Sequence, residues 1–198
     1  MSSEINGVYF SPQEGELYNT QKTRILLLGE SHYGKDEGEN KTRNVVNRYL
    51  SGTEKYKFFT CALGAIFGKG FDKEIAIKKI VFYNYIQEIV GENSRCRPTD
   101  GQWDKAIAPF FNVLSKYLPD IVICCGKSLY EHLPYNPGEI EKSQHGVSLG
   151  GDEAYVWNRE YHYQINGKNI RLIAMRHPSS RGFNAGKYYE EIFDSISG

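Results

Sequence analysis

The sequence predicts an α/β fold: three α/β/α layers around a mainly parallel four-stranded sheet, with one antiparallel strand added by a hairpin. Three observations carry that expectation. Four short apolar runs, rich in β-branched residues, alternate with stretches of helical periodicity. The first three runs lack polar alternation, as strands covered on both faces do. The pair Asn166-Gly167 is a strong hairpin signal just before the fourth run.

In chain order, residues 24–29 (Arg-Ile-Leu-Leu-Leu-Gly) form the first strand. Residues 42–50 and 72–78 are helical candidates, and 79–84 (Lys-Ile-Val-Phe-Tyr-Asn) is the second strand. The clearest helix covers 103–118. Its Trp103, Ile107, Phe110, Phe111, Leu114 and Leu118 recur at three- and four-residue spacing, and Pro119 stops it. Strand three follows at 120–125. Residues 135–152, rich in Gly, Pro, Ser and Glu, read as a long surface loop. Alternation at Tyr155, Trp157, Tyr161 and Tyr163 predicts the hairpin strand over 154–165, and strand four covers 170–176. A helix over 187–196 closes the chain. No repeat or composition shift appears, so residues 1–198 read as one domain.

The 24 basic and 24 acidic residues cancel. That balance argues against attachment to nucleic acid by bulk charge and leaves room for a local basic rim. No apolar run approaches the roughly 18 residues of a membrane span. Met1 to Gly15 lacks a charged-then-apolar signal pattern, so the expected compartment is the cytoplasm. The four cysteines have no framework spacing and read as reduced thiols. The five histidines show no ligand spacing, His132 and His162 reading as surface or packing residues, so no metal is expected.

Ligands of an open α/β sheet bind at the carboxyl ends of its strands. Here those ends read Gly29-Glu30-Ser31-His32-Tyr33-Gly34, Asn84-Tyr85, Gly126-Lys127-Ser128 and Arg176-His177-Pro178-Ser179-Ser180-Arg181. A Gly and a Ser after a strand commonly make only a turn and a helix cap, which is the plainer reading of residues 126–128. His177, expected to be exposed beside two arginines, and Asn84, ending an apolar strand, are harder to explain that way.

In this order the four clusters resemble the uracil-DNA glycosylase superfamily over roughly residues 24–192. Its first motif reads Gly-Gln-Asp-Pro-Tyr-His, Gly-x-Asn-Pro-Gly or Gly-Glu-Ala-Pro-Gly. Its second reads His-Pro-Ser-Pro-Leu-Ser, or His-Pro-Ser-Pro-Arg. The resemblance implies a four-stranded parallel sheet between helices, a site across the strand ends, and DNA with a base or nucleotide ligand as partner, bound by a monomer. It implies that Asn84 reads the edge of a flipped base and that His177 donates to the base oxygen as negative charge develops there. Arg181 falls at the wedge position. Ser179, Lys127 and Ser128 are candidates for phosphate contact. One of Tyr33, Phe58 and Phe59 would stack on the base.

The sequence also departs from the family. Ser31 stands at the position of the catalytic Asp or Asn, and His32 replaces the proline. A neutral serine cannot stabilise an oxocarbenium-like sugar, which leaves Glu30 as the charged candidate. Glu30 matches the Gly-Glu-Ala-Pro-Gly branch, which holds an iron–sulfur cluster on four cysteines. None of those cysteines precedes the motif here, so no cofactor is expected. Two alternatives stay open: a catalytically silent base- or nucleotide-binding module on the same fold, and a Gly-Asp-Ser-type hydrolase with Ser31 as nucleophile and His177 as base.

Overall fold

Leu-rich Ile25–Gly29, Ile80–Asn84 and Ile121–Cys125 are buried at every position, as strands without polar alternation must be. The computed structural model describes residues 4–136, 145–148 and 158–197. Its elements run β1 (Gln13–Glu14), β2 (Ile25–Gly29), α1 (Lys41–Ser51), α2 (Lys57–Phe67), α3 (Lys73–Lys78), β3 (Ile80–Asn84), α4 (Asp100–Tyr117), β4 (Ile121–Cys125), α5 (Lys127–His132), β5 (His145–Ser148), β6 (Asn158–Ile165), β7 (Lys168–Met175) and α6 (Ala185–Ser197).

The result is an α/β fold on one mixed sheet, in the order β1-β3-β2-β4-β7-β6-β5. The four inner strands β3, β2, β4 and β7 are parallel, with Ile25 opposite both Ile80 and Ile121. Helices cover both faces. Ile25, Leu27, Phe82 and Ile123 pack against Val46, Leu63, Ile77 and Ile192 of α1, α2, α3 and α6. Leu26, Leu28, Val81 and Val122 pack against Trp103, Phe110 and Leu114 of α4 and Leu129 of α5.

Two helices start at side-chain caps. Asp72 accepts the amides of Glu74 and Ile75 at the start of α3. Thr99 and Gln102 cap each other's backbone at the start of α4, which ends at Tyr117 where Leu118 turns left-handed before Pro119. The hairpin between β6 and β7 turns on Asn166 and Gly167, both at positive φ.

Three features differ from the sequence expectation. The antiparallel β1 pairs with β3, and two residues are too few to show any alternation. The segment read as a surface loop, 135–152, contains β5, paired antiparallel with β6. Tyr155 and Trp157 of the expected hairpin strand lie outside the described residues. Helix α2 was not expected: Lys-Phe-Phe-Thr-Cys-Ala-Leu-Gly-Ala-Ile-Phe is strongly apolar overall, and its exposed side is marked only by Lys57 and Thr60, so few polar residues outline the helical period. No helix among the described residues is long and apolar enough to cross a membrane.

From β2 the chain proceeds to β3 on one side and then crosses to β4 on the other. The carboxyl ends of β2 and β4 therefore flank the topological switch point, where the loops diverge and leave a crevice.

Candidate functional site

A cavity of about 860 Å³ opens at that switch point. Glu30, Ser31 and Tyr33 enter it from the loop after β2, Asn84 from the end of β3, Lys127 and Ser128 from the start of α5, and His177 and Ser179 from the turn after β7. Phe58 and Phe59 reach it from the first turn of α2. Arg181 is exposed and does not line it.

The loop after β2 is built around Gly29. Its bare Cα lets the Asn84 side chain lie across the strand end, and Asn84 Nδ2 donates to the Ser31 carbonyl at 3.2 Å. Ser31 Oγ donates to the Tyr33 hydroxyl at 3.0 Å, which in turn donates to Glu30 Oε1 at 3.4 Å. The Tyr33 hydroxyl is thus engaged in orienting the carboxylate. Among the three stacking candidates, Phe59 is only 2% exposed and packs on Tyr49 and Phe82, so it belongs to the core. Phe58 is half-buried, and its ring centroid lies 5.5 Å from that of His177.

His32 is engaged in packing. It is buried, edge-on to Phe10, and bonded through Nε2 to Thr42 Oγ1. Burial, aided by the Lys41 charge, pushes its pKa down to about 3, so the ring is neutral. The loop it anchors is tied to the loop after β3: Val90 N donates to the His32 carbonyl at 3.1 Å and Gly34 N to the Gly91 carbonyl at 2.7 Å.

Burial raises the Glu30 pKa above its ordinary value, opposed by the Arg97 charge, the Tyr33 hydrogen bond and His132. Desolvation of the ring lowers the pKa of His177, and the Arg97 charge lowers it further, although the residue as a whole stays exposed as expected. A neutral His177 accepts the Ser179 amide at Nδ1, 3.2 Å away, which places its proton on Nε2. Ser31 spends its hydroxyl on Tyr33, and no hydrogen bond joins it to His177, so the pair a serine hydrolase needs is not formed.

Several contributors carried no sequence signal. Arg97 enters the cavity from the irregular loop between β3 and α4, a segment without periodicity. Trp103, which the sequence does mark through the periodicity of α4, stacks on His132 at 4.2 Å and 13° beside the site. Elsewhere on the cavity lining, Glu37 binds Arg48 through both its oxygens at 2.9 Å and pairs with the buried Lys41. Of the expected phosphate contacts, Lys127 is paired with Glu131 at 3.5 Å. Lys57 donates to the carbonyls of Ser179 and Ser180, bracing the turn that carries His177.

Among the described residues no group of three or more His, Cys, Asp and Glu side chains could hold a metal ion. No protein-family model matches the chain, and no curated protein matches it.

Proposed function

We propose that the protein is a divergent member of the uracil-DNA glycosylase superfamily, a three-layer domain that acts on uracil or a related damaged base in DNA and hydrolyses its N-glycosidic bond. The observation that supports this most is the lining of one cleft by Glu30, Asn84, Phe58 and His177 at the switch point of the sheet.

In this reading a flipped base lies against Phe58, with Asn84 on its hydrogen-bonding edge. The C1′–N bond breaks with both electrons leaving on the base. The Nε2 proton of neutral His177 faces the developing oxyanion, a preorganised donor whose effect is greatest in a water-poor cleft. Glu30, held by Tyr33, faces the sugar cation. It takes a proton from the water that bonds to C1′, and that proton later reaches the departing base. Ser31 has no charge to offer the cation, and its part is to hold Tyr33.

The test is to incubate the protein with single- and double-stranded oligonucleotides containing uracil and measure abasic sites. Wild-type turnover that falls by roughly 10²–10⁴ in Glu30→Gln, with oligonucleotide binding kept, supports the reading. Normal turnover in Glu30→Gln removes Glu30 from the mechanism. A second reading, a silent base-binding module, draws on Ser31 standing at the position of the family acid. A wild type that binds uracil-containing DNA and makes no abasic sites decides for it.

A further inference from the structure

The cations of the cleft divide into two sets. Lys41 and Arg48 are neutralised by Glu37, Arg48 also by Glu54, and Lys127 by Glu131. Arg97 and Lys35 form no ion pair among the described residues, and both are exposed at the mouth of the same cavity. They project from the two loops that are bolted together by the Val90–His32 and Gly34–Gly91 hydrogen bonds, so the rim that carries them is a connected unit. Arg97 is further fixed by its own loop. Its Nη1 donates to the Ser94 carbonyl at 3.0 Å and the Cys96 carbonyl at 3.1 Å, and the residue as a whole is exposed. Tight packing of Gly91 against Cys96 holds that loop closed.

An arginine tethered by backbone carbonyls, rather than by a carboxylate, keeps its full charge and has already lost much of its rotamer freedom. That is the arrangement suited to a phosphate, which a guanidinium binds through two parallel N–H bonds. Lys127, a candidate for this task on the sequence beside Ser179 and Ser128, is paired with Glu131 at 3.5 Å.

We propose that Arg97 and Lys35 form a phosphate subsite on the β2–β3 side of the cleft mouth, which grips the phosphodiester backbone of a nucleic-acid strand beside the bound base. The inference rests on the glycosylase-like reading of the cleft, and it assigns the backbone contact to the rim opposite the expected Gly-Lys-Ser cluster.

Its test is a binding measurement that needs no turnover. A single-stranded oligonucleotide carrying 2′-fluoro-2′-deoxyuridine, which resists cleavage, is titrated at several salt concentrations into wild type, Arg97→Ala, Lys35→Ala and Lys127→Ala. Each neutralised phosphate of a single strand contributes about 0.7 to the slope of log affinity against log salt. The slope is expected to fall by about that amount in Arg97→Ala and in Lys35→Ala and to stay at the wild-type value in Lys127→Ala. Affinity for the nucleoside 2′-deoxyuridine should be unchanged in all three. Unaltered slopes in the Arg97 and Lys35 variants, with wild-type DNA binding intact, overturn the subsite and leave the glycosylase-like reading standing. A wild type that binds the nucleoside or its monophosphate but no oligonucleotide overturns the backbone assignment and the DNA reading together. Loss confined to the monophosphate, with the oligonucleotide unaffected, assigns the pair to a free nucleotide and overturns the proposal.

Discussion

The amide of Asn84 occupies the space that a side chain on Gly29 would fill, so the last residue of β2 and the last residue of β3 form one unit. The strand-end asparagine keeps its place because its neighbour in the register has no Cβ, and the Ser31 carbonyl then accepts its amide proton.

Substituting Gly29→Ala should drive the Asn84 side chain out of position. The expected loss is about 1–3 kcal/mol of stability, the usual result of overfilling a packed site, together with the loss of base binding. Adding Asn84→Ser to Gly29→Ala should restore the urea midpoint but not the binding. A single Gly29→Ala variant with wild-type stability and affinity would show that the two side chains do not compete.

Phe58 and Phe59 are adjacent in sequence and should behave as different kinds of residue. Phe59→Ala removes a ring from the core and is expected to cost about 3–5 kcal/mol in unfolding free energy. Phe58→Ala should cost far less stability while weakening base binding by roughly 1–3 kcal/mol, the value of an aromatic–base stack. Chemical unfolding and a base titration on both variants separate the roles, and equal stability losses would argue against them.

The pH dependence of kcat/KM follows from the two shifted groups. The mechanism proposed above uses ionised Glu30 and neutral His177. Rate should therefore be lost as pH falls and Glu30, whose pKa is raised by burial, takes up a proton. The Arg97 charge favours the ionised carboxylate and the neutral imidazole alike. Its removal in Arg97→Ala raises both pKa values, so the acid limb should move to higher pH. A limb that stays in place or moves down in that variant contradicts the electrostatic arrangement.

His32 makes stability depend on pH by a separate route. Its pKa is about 3 in the fold and near the ordinary 6.5 when the chain is unfolded, so the unfolded state binds the extra proton between those values. The contribution is fully present above pH 6.5 and is lost as pH falls toward 3. Its slope is at most one proton, about 1.4 kcal/mol per pH unit. Unfolding titrations from pH 7 to 5 should show that slope in wild type and its loss in His32→Gln.

The sequence exposes the parallel strands, because runs such as Ile121-Val122-Ile123 are long enough to declare burial on both faces, and it exposes α4 through its periodicity and capping box. It also marks Glu30, Asn84 and His177, since polar residues at the carboxyl ends of such runs have few reasons to be there. It hides α2, whose exposed side carries only Lys57 and Thr60 in an otherwise apolar run, and it hides β1 behind brevity. Arg97 is hidden for another reason: the role proposed for it rests on a tether to two carbonyls of its own loop, and irregular backbone leaves no pattern in the residue order. The opposite case is Lys127, whose place in the Gly-Lys-Ser motif says nothing of Glu131 one helical turn away.

The bonded pair of loops after β2 and β3 makes the two walls of the cleft mechanically unequal. One wall is stitched by backbone bonds and rooted in buried His32 and Lys41. The facing wall, the turn that carries His177, is closed by the Ser180 amide on the His177 carbonyl and braced by exposed Lys57 at the start of α2, which donates to two of its carbonyls. On the proposed reading, a base entering the cleft is registered against Glu30 and Asn84 on the cross-bonded wall, and His177 meets it from the wall that Lys57 braces.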